Sequence, residues 1–174
     1  MNSKFNTKFL SMIILIGLFS GTTFSQENVI LKLSDREQTL AHGATVSQRN
    51  ATVTTDVPYD LLYDLKPTVY VKNNGVLNIE GVGAPVVLNF LDAQSFNYVT
   101  TRNSLYNKIE LITINLNSEN DLRNSFDVAA IRGFSHLKYI YLKCEFPISE
   151  NQIRSFLQNA DPEIIFFYSS YKRS

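Results

Sequence analysis

Four short β-type runs recur at nearly constant spacing through the second half of the chain, and that regularity limits the available folds more than any other feature. The runs are Val86 to Leu91, Ile112 to Leu116, Ile140 to Cys144 and Phe166 to Tyr168. Taking alternate residues sets Val86, Leu88 and Phe90 beside Ile112, Ile114 and Leu116, then beside Ile140, Leu142 and Cys144, then beside Phe166 and Tyr168. The steps are 26, 28 and 26 residues. A period of that length marks a chain that stacks one supersecondary unit on the next, each covering the apolar face of its neighbour.

The segments between the last three runs carry helix signals. Ser118-Glu119-Asn120-Asp121 has the form of an N-terminal cap with acidic side chains in the first turn. Leu122, Phe126, Ala129 and Ala130 follow as one apolar stripe, and Gly133 is a stop. Ser149-Glu150-Asn151-Gln152 has the form of a capping box, with Ile153, Phe156, Leu157 and Ala160 as its stripe and Pro162 as its end. The segment from Ala93 to Lys108 shows only a poor helical stripe.

These residues resemble the leucine-rich repeat family. Leu137-x-x-Ile140-x-Leu142 and Ile109-x-x-Ile112-x-Ile114 match its opening L-x-x-L-x-L, and Asn117 falls where that motif places asparagine. The third copy departs from the pattern with Glu145 at the asparagine position, and the fourth has Glu163 where the first leucine belongs. The resemblance covers about residues 84–172. It implies a short parallel-strand solenoid of α/β class with helices on its outer side; an ordinary α+β single domain with regular strand spacing is the alternative.

The region from Gln26 to Gly81 reads as a β-rich N-terminal cap for that repeat region, which spans residues 82–174. Val29 to Leu33 is a strand candidate, the Thr/Ser-rich stretch from Ala44 to Thr55 is strand or loop, and Tyr59 to Leu65 is a short helical run behind Asp56-Val57-Pro58. Val69 to Lys72 and Val76 to Ile79 flank Asn73-Asn74-Gly75, a hairpin signal.

Residues 1–25 read as a cleavable signal peptide. Lys4 and Lys8 precede an apolar run from Phe9 to Phe19, too short to span a bilayer, and Thr23 and Ser25 are small residues at a plausible cut. The expected location is therefore outside the inner membrane, periplasmic or extracellular, without a transmembrane anchor after cleavage. The Trp-free composition is similar to that of exported bacterial proteins. Cleavage would leave 14 basic against 16 acidic side chains, scattered singly, which offers no basic face for nucleic acid. One cysteine forms no intrachain disulfide, so stability has to come from packing.

Candidates for chemistry are few. Cys144 and His136 are the only nucleophile and base at short separation, but Cys144 shares the apolar strand face of Ile140 and Leu142. His42 lies in a polar stretch. Two distant histidines and one cysteine do not make a zinc set, Ser118 to Asp121 lacks calcium-loop spacing, and Gly81-Val82-Gly83 is too short for a phosphate loop. No catalytic, metal or cofactor site is expected. The remaining candidate is a surface: if one strand face is the core, Val87, Asn89, Thr113, Asn115, Tyr139, Tyr141, Lys143, Ile165 and Phe167 lie on the other. From these Asn115, Tyr139, Tyr141, Lys143 and Phe167 form the expected ligand patch of a non-enzymatic binding module recognising a protein or cell-surface component. The alternatives are a structural or assembly protein of the cell envelope and, last, a Cys144-dependent hydrolase.

Overall fold

Runs such as Leu111-Ile112-Thr113-Ile114 and Ile165-Phe166-Phe167-Tyr168 lack regular polar alternation, the pattern of a parallel strand covered on both faces. The computed structural model of the protein describes residues 28–33 and 57–171. It is of mixed α/β type, built on a large, open sheet that is parallel except for one hairpin.

The strands are β1 (Ile30–Lys32), β2 (Thr68–Lys72), β3 (Gly75–Glu80), β4 (Val87–Phe90), β5 (Leu111–Leu116), β6 (Phe126–Asp127), β7 (Tyr139–Cys144), β8 (Leu157–Gln158) and β9 (Ile165–Ser170). Seven of them form the main sheet in the order β1-β9-β7-β5-β4-β2-β3, while β6 and β8 pair as a short second sheet. Thus β1 adds in parallel outside β9, and the β2–β3 hairpin lies at the opposite edge.

Leu88 stands across from Ile112, Ile112 from Ile140 and Ile140 from Phe166. The last two steps are as the spacing predicts, but the first is 24 residues instead of 26. The Val86 carbonyl accepts the N–H groups of both Glu110 and Leu111, so β5 begins at Leu111, level with Val87. A two-residue correction leaves every side chain on its expected face, because the strand period is two.

One face carries the larger core. Leu88, Phe90, Ile112, Ile114, Ile140, Leu142 and Phe166 are buried there beneath the connecting segments. Phe96 lies edge-on to Phe90, Phe126 and Phe156 with centroids 5.1–5.8 Å apart, and each such pair adds about 0.5–1.5 kcal/mol beyond burial.

The expected helix after Ser118 is replaced by two 3₁₀ turns, Glu119–Arg123 and Val128–Ala130, on either side of β6. The cap forms, with the Asp121 carboxylate accepting the N–H groups of Asn117 and Ser118. Asn124 then leaves helical geometry, and the Asp127 carboxylate accepts the Ala129 N–H at 3.1 Å, starting a new turn. Such short polar side chains compete with the helix for backbone partners.

Two α-helices are described: α1 (Tyr59–Tyr63) and α2 (Glu150–Phe156). The Ser149–Gln152 capping box starts α2 as the sequence predicts. The helix stops before Ala160 because Leu157 is extended and pairs with Phe126, and Asn159 turns the chain at φ +52°. Leu62 of α1, with Val57 ahead of it, packs on the second sheet face against Leu111, Tyr141 and Phe167.

In the hairpin the two turn residues are Asn73 and Asn74, with φ of 53° and 57°. Gly75 belongs to the ladder opposite Lys72. Asparagine tolerates the left-handed region better than other residues with a Cβ. Gly81 has a different constraint: at φ +91° a Cβ would lie 2.8 Å from the Pro67 Cα. The Gly-Val-Gly sequence is therefore the turn into β4, packed on Pro67.

Candidate functional site

The five residues expected to form a ligand patch share one sheet face, but α1 and its flanks cover much of it. Cross-strand neighbours form three rows: Leu111, Tyr139 and Ile165; Thr113, Tyr141 and Phe167; Asn115, Lys143 and Ser169. Tyr141 retains 1% of its exposure and Phe167 none. These two belong to a second core, and their expected exposure is corrected on the physical ground that a parallel sheet of this composition is covered on both sides. Tyr139 is half-buried, its ring 5.9 Å from that of Phe167.

Polar groups in this face are used internally. The Tyr141 hydroxyl lies 2.9 Å from Ser169 Oγ. Burial pushes its phenol above the ordinary range, although the Ser169 bond acts the other way. The Asn115 carboxamide donates to Asn89 Oδ1 at 2.6 Å and to the Phe90 carbonyl at 2.7 Å. Lys143 is half-buried, with its Nζ 5.5 Å from the Tyr141 ring centroid, and desolvation lowers its ammonium pKa. Of the expected patch, Asn115, Tyr139 and Lys143 remain partly accessible.

The Cys144–His136 pair is not brought together. His136 lies ahead of β7, with Nδ1 against the Asn107 carbonyl and Ser135 Oγ, while Cys144 ends the strand in the larger core. The whole of β7, about 20 Å at the usual rise per residue, separates them. Burial pushes the Cys144 thiol up to about 12, the reverse of an activated nucleophile. His42 lies outside the described residues. Among the described residues no three His, Cys, Asp or Glu side chains converge as a metal set, and no helix is long and apolar enough to cross a membrane.

The conspicuous surface is the free margin at β3. Val76 and Ile79 stand across from the core residues Val71 and Val69, continuing that apolar face past the end of its cover. Leu77 is 62% exposed, and on the flanking turns Val82 and Leu65 are 96% and 103% exposed. Single exposed apolar side chains are ordinary, but several along one margin mark a contact surface. Its backbone is poorly suited to adding a strand. Pairing with β2 shifts register so that Leu77 is an extra residue, and the Ile79 N–H is taken by Asn78 Oδ1 at 2.8 Å. Both features blunt a sheet edge. In the sequence the adjacent pair Val76-Leu77 broke the alternation of a half-covered strand, the one local sign of this surface.

Comparison with known proteins finds no matching family model, no matching curated protein and no matching solved structure.

Proposed function

We propose that this chain is an exported, non-enzymatic interaction module that binds a protein or cell-surface component through the apolar margin at β3. The observation that carries this reading is the exposure of Leu77, Ile79 and Val82 on a margin whose backbone resists strand addition. A partner would dock on the side chains, with apolar anchors at the centre and polar groups such as Asn78 and Glu80 at the rim. Export rests on the signal-like residues 1–25.

The same proposal takes the coil of β4, β5, β7 and β9 as a degenerate leucine-rich-repeat-like solenoid. Support comes from the parallel order of these strands and from Ile109 and Leu137, the first positions of two repeat copies, both packed into the larger core. Asn117 departs from the motif in being exposed.

The test places a photo-crosslinking residue at Leu77, and separately at the exposed Asn124, in the producing cell. A discrete adduct from position 77 that Ile79→Lys abolishes supports the proposal, and its partner's fractionation separates a ligand from an envelope assembly. Absence of an adduct at 77, or the same adduct from 124, contradicts it.

A further inference from the structure

An open cleft of about 790 Å³ lies between the segments that lead into β5 and β7. It is remote in sequence from the β3 margin, and its chemistry is different. Two arginines, Arg102 and Arg132, line it with no carboxylate side chain among the lining residues. Among the described residues the ion pairs are Lys66–Asp60 and Lys138–Glu110, so neither guanidinium is neutralised there.

The backbone brings the two arginine-bearing segments together. Gly133 has φ +91°, and a Cβ at that position would lie 3.4 Å from Arg102 Cγ and 3.5 Å from the Asn103 carbonyl oxygen. The bare glycine thus lets the Arg102 stem lie over the chain immediately beyond Arg132. The Arg132 N–H donates to the Val99 carbonyl at 2.9 Å, and Ser135 Oγ donates to Asn107 Oδ1 at 2.7 Å, tying the two segments across the cleft. Phe134 stacks on Tyr106 beneath, with centroids 4.5 Å apart and an interplanar angle of 14°.

The charged groups that line the cleft are both donors. One terminal nitrogen of Arg132 donates to the Ala129 and Ile131 carbonyls at 2.6 and 2.9 Å, which fixes the guanidinium and leaves its other N–H groups unused by these bonds. Asn103 Oδ1 accepts the Leu105 N–H at 3.0 Å, and Asn107 Oδ1 accepts from Ser135. Each carboxamide oxygen is thus engaged within the protein, and neither NH₂ group takes part in these bonds. A surface with two cations, amide donors and no acid is complementary to an oxyanion, and planar guanidinium forks suit carboxylate and phosphate alike.

We propose that this cleft binds a small molecule through a carboxylate or phosphate group held between Arg102 and Arg132. The cleft size falls within the range of small-molecule sites. Both guanidiniums contribute charge-assisted hydrogen bonds, so either substitution to alanine weakens binding about tenfold or more.

The test titrates the purified full chain with inorganic phosphate and, separately, with citrate at constant ionic strength, following backbone amide shifts by NMR. Saturable shifts at Ser104, Arg132 and Gly133, weakened about tenfold in Arg102→Ala and in Arg132→Ala, support the site. Saturation by one probe alone assigns the phosphate or the carboxylate source. Arg102→Gln keeps the stem over Gly133 and guards against a packing artefact, and ring-shifted Phe134 signals report that each variant is folded. Linear, non-saturating shifts, or the same affinity in the variants as in the parent, overturn it.

Discussion

Asn115 on β5 donates its carboxamide to Asn89 Oδ1 and to the Phe90 carbonyl, so one side chain links neighbouring strands from within the second sheet face. Asn115→Ala leaves two partly buried acceptors without this donor, at a cost of about 1–2 kcal/mol. A lower urea midpoint at unchanged slope is the expected result. An unchanged midpoint would show that water replaces the amide without loss.

Asp92 holds the hairpin turn. Its carboxylate accepts the Asn73 N–H at 2.9 Å, the Gln94 N–H at 3.0 Å and the Ser95 hydroxyl at 2.6 Å. Burial acts to raise its pKa, but the bonds from Ser95, Asn73 and Gln94 together outweigh burial and hold it below the usual value. A depressed folded pKa gives stability that is present above the unfolded value, near 3.9, and lost as pH falls through the folded value. Asp92→Asn should therefore cost roughly 1 kcal/mol at neutral pH, with the gap closing below about pH 4. Urea midpoints measured from pH 7 down to pH 3 check this, and a gap independent of pH contradicts it.

Much of this architecture was readable locally. The four strand runs, the Asn73-Asn74 hairpin and the Ser149–Gln152 cap depend on residues close in sequence, where period and capping chemistry act directly. The Ser118 helix failed because the chain leaves helical geometry at Asn124 and Asp127 offers the backbone another partner, which an apolar stripe alone does not weigh. The cover of Tyr141 and Phe167 by α1, and the placement of β1 outside β9, are long-range choices that no local period encodes. Reading uninterrupted runs such as Ile165 to Tyr168 as doubly covered strands would have located the second core. The charged cleft left no motif, since Arg102 and Arg132 are distant in sequence and line it together only because the Arg102 stem lies against the turn at Gly133.

Gly81→Ala tests the turn into β4. A methyl group there meets the Pro67 backbone and occupies a left-handed conformation. Destabilisation by roughly 1–3 kcal/mol is expected, read as a fall in melting temperature. Gly83→Ala meets no atom within 4 Å of its Cβ but is also at positive φ, and should cost less. Equal losses in both would assign the effect to φ alone.

Cys144 should resist iodoacetamide in the native protein and react once urea unfolds it. The thiol is fully buried, and burial holds its pKa up to about 12. Mass spectrometry over a time course reads the modification directly. Rapid native alkylation at neutral pH would restore the hydrolase reading.

The central structural claim, a mostly parallel sheet with cores on both faces, is tested most directly by long-range backbone NOEs on the protein from Gln26 onward. The account predicts parallel contacts linking Leu88 with Ile112, Ile112 with Ile140, Ile140 with Phe166, and Phe166 with Ile30. It also predicts contacts from Leu62 to Tyr141 and Phe167 across the second face. Antiparallel contacts among these strands, Leu88 opposite Ile114, or Tyr141 and Phe167 open to solvent would contradict it.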